Sequence, residues 1–259
     1  MIFPEIDPVI FNVGPLAVRW YGMMYLLGFV SGYFMMCHVA KLRSMPIKKD
    51  VISDLLFYAV LGVVFGGRLG YTLFYNSSYY LSHPLEIFYV WEGGMSFHGG
   101  LIGVLIVMLI FSQRRDLPLL LVSDLAVSAV PIGLAFGRIG NFINAELWGR
   151  VTDQPWGIIF PGAGSLPRHP SQLYEAGLEG LVLFFLIYLL HRLGVKRGIP
   201  TFNFVLFYGV FRFLVEFVRQ PDNHLGFLWG GVTMGQLLSL PMILFGFSGL
   251  IFVLKRDRS

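Results

Sequence analysis

The sequence predicts an all-α polytopic membrane protein with about seven transmembrane helices, and three observations support this class. Only 13% of the 259 residues are charged and 56% are hydrophobic, whereas soluble domains typically contain about a quarter charged residues. Apolar runs of about 20 residues, long enough to cross a bilayer as helices, recur along the chain. The basic residues between these runs follow an alternating, one-sided pattern. Residues 1–259 are therefore predicted to form a single integral membrane domain.

The predicted spans follow from the apolar runs. They cover residues 17–40, 52–75, 97–112, 119–138, 173–191, 201–218 and 230–254. The third is short, and the glycine pairs at 93–94 and 99–100 favour an irregular start. The longest segment between spans, 139–172, combines prolines and glycines with aromatic residues. Since aromatic residues favour the lipid–water boundary, we predict an ordered outer loop segment there.

The distribution of lysine and arginine predicts the orientation. Twelve of the 19 basic residues fall on one side of the seven-span arrangement: Lys41, Arg43, Lys48, Lys49, Arg114, Arg115, Arg192, Lys196, Arg197, Lys255, Arg256 and Arg258. The positive-inside rule makes this side cytoplasmic. The N-terminus and the segments 76–96, 139–172 and 219–229 are then outside, and the C-terminus is cytoplasmic.

The other seven basic residues are all arginines: Arg19, Arg68, Arg138, Arg150, Arg168, Arg212 and Arg219. A planar guanidinium group can hold a phosphate at two points, which a lysine cannot do. The same arginines could instead pair with Glu146, Glu175, Glu216 and lipid headgroups. We expect both uses, with three or four of the seven arginines structural.

The densest polar stretch is 137–150, Gly-Arg-Ile-Gly-Asn-Phe-Ile-Asn-Ala-Glu-Leu-Trp-Gly-Arg, which follows a long apolar run. Polar groups at the end of a membrane helix are costly to desolvate unless they meet polar partners, so such clusters usually mark function. Gly137 and Gly140 leave room for backbone or ligand beside Arg138 and Asn141. This stretch is the first candidate site.

The second candidate site lies on the predicted sixth span. Tyr208, Arg212, Glu216 and Arg219 are spaced by four, four and three residues, which places them on one helix face. Charged side chains facing lipid are costly, so this face should point into the protein or a water-filled cavity. The plainer alternative is an Arg212–Glu216 pair that only joins helices. A neighbouring guanidinium favours an ionised Glu216 that orients an arginine over one that acts as a base.

Four further residues have to be weighed between a functional and a structural interpretation. His98, within a glycine-rich stretch near the outer boundary, is either a general base or a structural histidine, and His169 is the competing base at the same face. Tyr21 is either functional or part of an interfacial aromatic belt. Cys37 cannot form an intramolecular disulfide because it is the only cysteine, and we interpret it as an inert small hydrophobic residue. No histidines or carboxylates have metal-ligand spacing, so neither metal nor cofactor is predicted.

The stretch 137–150 resembles the signature of the bacterial prolipoprotein diacylglyceryl transferases, roughly G-R-x-G-N-F-x-N-x-E-x-x-G-R. Three other stretches resemble the same family: Trp20-Tyr21-Gly22, Met95-Ser96-Phe97-His98-Gly99-Gly100-Leu101, and 208–219. The matches run in order over nearly the whole chain, without a departure at the motif positions.

The resemblance implies an enzyme of the bacterial cytoplasmic (inner) membrane whose active site faces outward. Such an enzyme moves the diacylglyceryl group of phosphatidylglycerol onto the lipobox cysteine of a prolipoprotein signal peptide, and releases glycerol-1-phosphate. Its partners would be these substrates and membrane lipids, with no nucleic acid. We predict Arg138, Arg212 and His98 as catalytic, with His98 as the base. We predict a substrate-binding set of Tyr21, Asn141, Glu146, Gly149, Tyr208 and Glu216.

Two other classes compete with this interpretation. A transporter of anionic lipid could use the same arginines, but inverted halves are not recognisable and the polar clusters lie toward one face. An intramembrane protease needs paired aspartates or a serine–histidine couple, and the available aspartates, Asp54 and Asp124, lie near inner helix ends.

Overall fold

The computed structural model describes residues 1–14, 16–221 and 226–255; Arg256 and Arg258, which the sequence assigns to the inner side, lie outside the described residues. The chain divides into two compact units, one formed by Met45–Ser123 and the other by Met1–Ser44 with Asp124–Ser259. Within the described residues, six helical stretches are long and apolar enough to cross a membrane. The protein is therefore a multi-pass, mostly helical membrane protein.

Two strands and ten α-helical segments make up the regular structure of the described residues. In chain order they are β1 (Val9–Val13), β2 (Leu16–Arg19), α1 (Trp20–Leu42), α2 (Lys49–Phe74), α3 (Ser77–Ser82), α4 (Phe97–Arg114), α5 (Leu119–Val127), α6 (Val130–Ile143), α7 (Ser171–Glu175), α8 (Leu183–Arg192), α9 (Ile199–Val215) and α10 (Met234–Lys255). A π-helical stretch, Ala176–Val182, joins α7 to α8.

Most predicted spans are confirmed as helices, with shifted ends. The first begins at Trp20 and not at 17, because residues 17–19 pair with β1 in an antiparallel hairpin. The fourth continues to Ile143, five residues past the predicted end. The sixth, α9, has 17 residues and falls just short of the other six in length.

In the smaller unit, α2 and α4 pack through glycines. A Cβ atom on Gly70 would lie 2.7 Å from the Cα of Gly99, and one on Gly62 would lie 2.9 Å from the carbonyl oxygen of Gly103. Backbones can come this close only where side chains are missing, as in other membrane helix pairs. Gly99 therefore serves helix packing. The irregularity predicted for this span lies just before the helix, where Gly93 and Gly94 have positive φ values of 86° and 74°; α4 itself begins at Phe97, with Ser96 Oγ accepting from the Gly99 N–H at 3.2 Å.

In the larger unit, Asp124 explains how α9 begins. Its carboxylate is buried and accepts from the backbone N–H of Gly198 at 2.6 Å, the N–H of Thr201 at 3.0 Å and the Thr201 hydroxyl at 2.6 Å. A carboxylate at a helix N-terminus satisfies N–H groups that have no partner within the helix. Asp124 thus caps α9 from a distant part of the chain and fixes the helix that carries the second candidate site.

Candidate active site

Arg138 and Asn141 lie on the last two turns of α6, because the helix continues through the first half of the signature. Asn141 is buried, and its Nδ2 donates to Oε1 of Glu146 at 2.8 Å. Asn144 Nδ2 approaches the same oxygen at 3.4 Å. Contacts within the signature thus connect both of its asparagines to Glu146 and orient the glutamate side chain.

The backbone after α6 turns sharply. Ala145 and Leu147 have left-handed φ values of 52° and 58°, which non-glycine residues seldom adopt. The turn is held because the Glu146 N–H donates to the Asn141 carbonyl at 3.0 Å, and Gln172 Nε2 donates to the Glu146 carbonyl at 2.6 Å. Strained backbone of this kind persists where surrounding contacts over-determine it.

Gly149 is needed for close backbone approach. Its N–H donates to the His169 carbonyl at 2.8 Å, and a Cβ atom there would lie 2.6 Å from the carbonyl oxygen of Val218. The neighbouring Arg150 donates from Nε to the Arg219 carbonyl at 3.0 Å and from Nη2 to the Glu216 carbonyl at 2.9 Å. The end of the signature is thereby tied to the end of α9. Gly149 belongs to the predicted substrate-binding set. Its contacts in the structure are with backbone, and a side chain at this position would clash with them.

Arg212 and Glu216 form the pair that their spacing predicts. Arg212 Nη2 donates to Glu216 Oε1 at 2.5 Å, and Arg219 Nη1 donates to the same oxygen at 3.3 Å. The other oxygen, Oε2, accepts from the Thr233 hydroxyl at 2.6 Å. Gly235 leaves the space for this carboxylate, since a Cβ there would lie 2.5 Å from Glu216 Oε1. Glu216 is buried, with one oxygen bonded to two arginines and the other to Thr233.

Glu175 joins the two candidate sites. Its Oε2 lies 2.8 Å from Arg138 Nη2 and accepts from Arg212 Nη1 at 3.1 Å. The glutamate side chain is completely buried, whereas 18% of Arg138 and 15% of Arg212 remain exposed. One carboxylate oxygen thus holds two guanidinium groups together; Nη2 of Arg212 also serves Glu216, and Nε of Arg138 is buried without a hydrogen-bond partner among the described residues. Two fixed arginines side by side have the geometry to hold a phosphate at two points.

Glu179 completes the cluster, and the sequence reasoning missed it. Its Oε2 lies 3.7 Å from Arg138 Nη2 and its Oε1 lies 3.9 Å from Arg212 Nη1. It sits within the π-helical stretch, where Gly180 allows close packing: a Cβ there would lie 2.6 Å from the Ala135 Cβ. π-Helical turns are often found at functional sites. The signal available in the sequence was the pair Glu175 and Glu179, two carboxylates four residues apart in an apolar run.

The two predicted tyrosines approach the cluster from different helices. Tyr208 is on α9, within electrostatic reach of Glu179, Arg212 and Arg138. Tyr21, on α1, packs against the signature, since a Cβ on Gly140 would lie 3.0 Å from its ring. The hydroxyl groups of Tyr21 and Tyr25 are 3.2 Å apart.

The two candidate bases have different surroundings. His98 is on the first turn of α4, exposed, and belongs to the smaller unit, whereas Arg138 and Arg212 belong to the larger one. His169 Nδ1 is 3.2 Å from the Tyr174 hydroxyl, which accepts from Trp156 Nε1 at 2.7 Å. Burial lowers the pKa of His169 below its ordinary value of 6.5, so its ring is neutral near pH 7.

The outer arginines divide into two groups. Arg68, Arg150 and Arg168 donate mainly to backbone carbonyls; Arg68, for example, bonds Ile87 O at 2.8 Å and Glu86 O at 2.6 Å. Arg138, Arg212 and Arg219 pair with glutamates. Arg19 is exposed. Arg68, Arg150 and Arg168 thus hold the backbone in place, and the other three form glutamate pairs of the kind that the sequence offered as the alternative to phosphate binding. Over the described residues, no group of three or more His, Cys, Asp or Glu side chains is arranged to hold a metal ion.

The fold and this cluster define a class: a multi-pass helical membrane protein with a buried arginine–glutamate site suited to an anionic group. A comparison with family models identifies the family within this class. The chain belongs to the prolipoprotein diacylglyceryl transferase family, whose model matches residues 8–252.

Curated relatives agree over almost the full length. The chain is similar to phosphatidylglycerol–prolipoprotein diacylglyceryl transferases of Geobacter sulfurreducens (54% identity, covering 99% of this chain and 98% of the relative) and Bordetella avium (54%, 99% and 97%). A protein of the same name from Methylocella silvestris is 51% identical, with 98% and 96% covered.

Proposed function

We propose that this protein transfers the diacylglyceryl group of phosphatidylglycerol to the lipobox cysteine of a prolipoprotein, as the names of its relatives indicate. The sulfur attacks the glyceryl CH₂ carbon, the carbon–oxygen bond to the phosphate breaks, and glycerol-1-phosphate leaves. This is the first step of lipoprotein maturation. The observation that carries the proposal is the pair of arginines, Arg138 and Arg212, held by one oxygen of Glu175.

The cluster suits this reaction because charge builds on the leaving phosphate. Fixed donors in a site of low polarity stabilise such charge strongly, as their dipoles are already oriented. Arg138 and Arg212 bind the phosphate in this proposal, and Asn141 and Tyr208 orient it. Tyr21 and Glu146 line the substrate site, and Glu216 holds Arg212.

The proton of the acceptor thiol needs a base, because an unperturbed cysteine has a pKa of about 8.5. His98 is the proposed base: it is exposed on the first turn of α4, and histidine is the side chain most often used as a general base. His169 is the alternative. Comparing His98→Gln with His169→Gln decides between them: loss of the base should lower turnover near pH 7 and let it recover as the pH rises toward the thiol pKa of about 8.5, whereas loss of the other histidine should leave the pH profile of turnover unchanged.

The protein has seven spans in this proposal, with α9 as the shortest. The N-terminus and the cluster face the outside of the bacterial inner membrane, and the C-terminus is cytoplasmic. The excess of basic residues on one side supports this orientation. A topology reporter fused after Arg258 should be cytoplasmic, and one inserted between 150 and 165 should be periplasmic. The reverse result at either point would overturn the arrangement.

Purified protein mixed with phosphatidylglycerol and a lipobox peptide tests the function directly. The expected products are a thioether-linked peptide and glycerol phosphate; a lipid transporter or a protease would release no glycerol phosphate. The aspartates that a protease would need have structural partners: Asp124 caps α9, and Asp54 pairs with Arg115.

A further inference from the structure

Glu179 has an unusual environment for a carboxylate. Its side chain is completely buried, and neither of its oxygens accepts a hydrogen bond. Its nearest cationic nitrogens, on Arg138 and Arg212, are 3.7 and 3.9 Å away. In contrast, Glu175 has guanidinium nitrogens at 2.8 and 3.1 Å, and Glu216 has one at 2.5 Å. Glu179 is therefore the least stabilised carboxylate of the cluster.

The charges of the cluster balance only while its anionic ligand is absent. Three glutamates face three arginines, Glu175, Glu179 and Glu216 against Arg138, Arg212 and Arg219, so there is one carboxyl group for each guanidinium group. Glu179 itself is faced by Arg138 on α6, Glu175 on α7, and Tyr208, Arg212 and Arg219 on α9. A bound phosphodiester adds one negative charge, and an uncompensated charge in a buried site is strongly unfavourable.

The imbalance disappears when one carboxylate becomes neutral. The group that neutralises most easily is the one with the fewest hydrogen bonds and the longest distances to cations. We propose that Glu179 is a positioning residue that takes up one proton from solvent when the phosphate of phosphatidylglycerol binds Arg138 and Arg212. This inference rests on the proposed function and extends it.

The proton changes only Glu179: a carboxylate becomes a carboxylic acid, and no bond forms between this residue and the substrate. The positive charge of Arg138 and Arg212 is then directed to the phosphate and not shared with a third anion. Glu175, at 2.8 and 3.1 Å from guanidinium nitrogens, and Glu216, at 2.5 Å from one, keep the two guanidinium groups in place. Lipid binding should consequently weaken as the pH rises, by up to tenfold per pH unit, because binding and protonation are linked.

The experiment measures equilibrium binding of phosphatidylglycerol in mixed micelles to the purified full-length protein, without peptide, between about pH 6 and pH 9. In the unsubstituted protein, the apparent Kd should rise with pH. In Glu179→Gln, whose amide mimics the neutral acid, the Kd should stay low and nearly constant. The matched control is Glu5→Gln, an exposed glutamate, which should keep the slope of the original protein. A purely structural role for Glu179 would not change the slope.

A second measurement needs no variant. Titration with phosphatidylglycerol in weakly buffered solution should take up about one proton per bound lipid at the alkaline end of the range, with a gain of the infrared band of a protonated carboxyl group. Binding without proton uptake, or an identical slope in Glu179→Gln and the original protein, would overturn the inference. Glycerol phosphate release is assayed separately: release with pH-independent binding refutes only the role of Glu179. Normal pH-linked binding without release refutes only the transferase.

Discussion

The sharpest test of the site is the replacement of Arg212 by lysine. The Arg212 guanidinium reaches two carboxylates in different directions, with Nη1 at 3.1 Å from Glu175 and Nη2 at 2.5 Å from Glu216. A lysine ammonium is a single point of charge and cannot keep both contacts. The substitution preserves the net charge of the cluster, so its effect reports geometry and not charge.

The magnitude follows from the contacts that are lost. Loss of one charge-assisted hydrogen bond between buried groups should cost about 1.5–3 kcal/mol of unfolding free energy. If Arg212 also donates to the leaving phosphate, loss of that donor should cost about 3–4 kcal/mol in the transition state, roughly a 10²–10³-fold lower turnover. Arg138→Lys should behave similarly, because its Nη2 serves Glu175 from the other side.

Glycerol phosphate release by each purified variant provides the assay, and thermal melting checks the fold. Arg19→Lys is the matched control, since Arg19 is exposed and should give nearly unchanged turnover and melting. Arg168→Lys should be milder in turnover than Arg212→Lys but should lower the melting temperature, because Arg168 bonds Ala163 O and Gly149 O. Near-normal turnover in both Arg138→Lys and Arg212→Lys would mean that the phosphate is bound elsewhere, and the reasoning would fail.

Three further predictions concern other residues. Cys37→Ala should retain activity, since the acceptor thiol belongs to the substrate; abolished turnover in a folded variant would indicate a covalent enzyme intermediate. Gly149→Ala should destabilise the protein and lower activity, because the new Cβ meets the Val218 carbonyl at 2.6 Å, whereas Gly133→Ala has open space and should gain up to about 1 kcal/mol in a melting assay. Burial lowers the pKa of His169, so protonation opposes folding: stability should fall as the pH drops from 6.5 toward that lower pKa, and His169→Gln should remove this part of the pH dependence. An unchanged profile in His169→Gln would contradict the assignment.

Helical periodicity made the second candidate site predictable. The spacing of Arg212 and Glu216 places them on one face whatever surrounds the helix, and the structure confirms their pairing. The spans were predictable for the same reason, since length and apolarity are properties of each segment alone. The ends of the helices were less predictable. α6 continues to Ile143 because Arg138 and Asn141 have polar partners within the protein.

The structure of the outer loop was not predictable in detail, because it depends on contacts between distant parts of the chain. Arg150 bonds carbonyls of residues 216 and 219, and Arg168 bonds the carbonyl of Gly149. Each arginine satisfies backbone groups that the irregular loop would otherwise leave unpaired. Sequence spacing carries no information on which carbonyl an arginine meets, so neither the arginines that hold the loop nor their partners could be predicted.

The glutamates show why the site could not be completed from any single helix. Glu175 and Glu179 lie four residues apart in an apolar span. Placing carboxylates there is costly in free energy, so cationic partners are expected. Those partners stand on α6 and α9. A buried ion pair adds little net stability, because desolvation offsets the attraction, yet removal of one member leaves a costly unpaired charge. The glutamates and arginines are therefore required as a set. Arg138 comes from α6 and Arg212 from α9, so the cluster around Glu175 forms only once these two helices have packed against the segment that carries the glutamates.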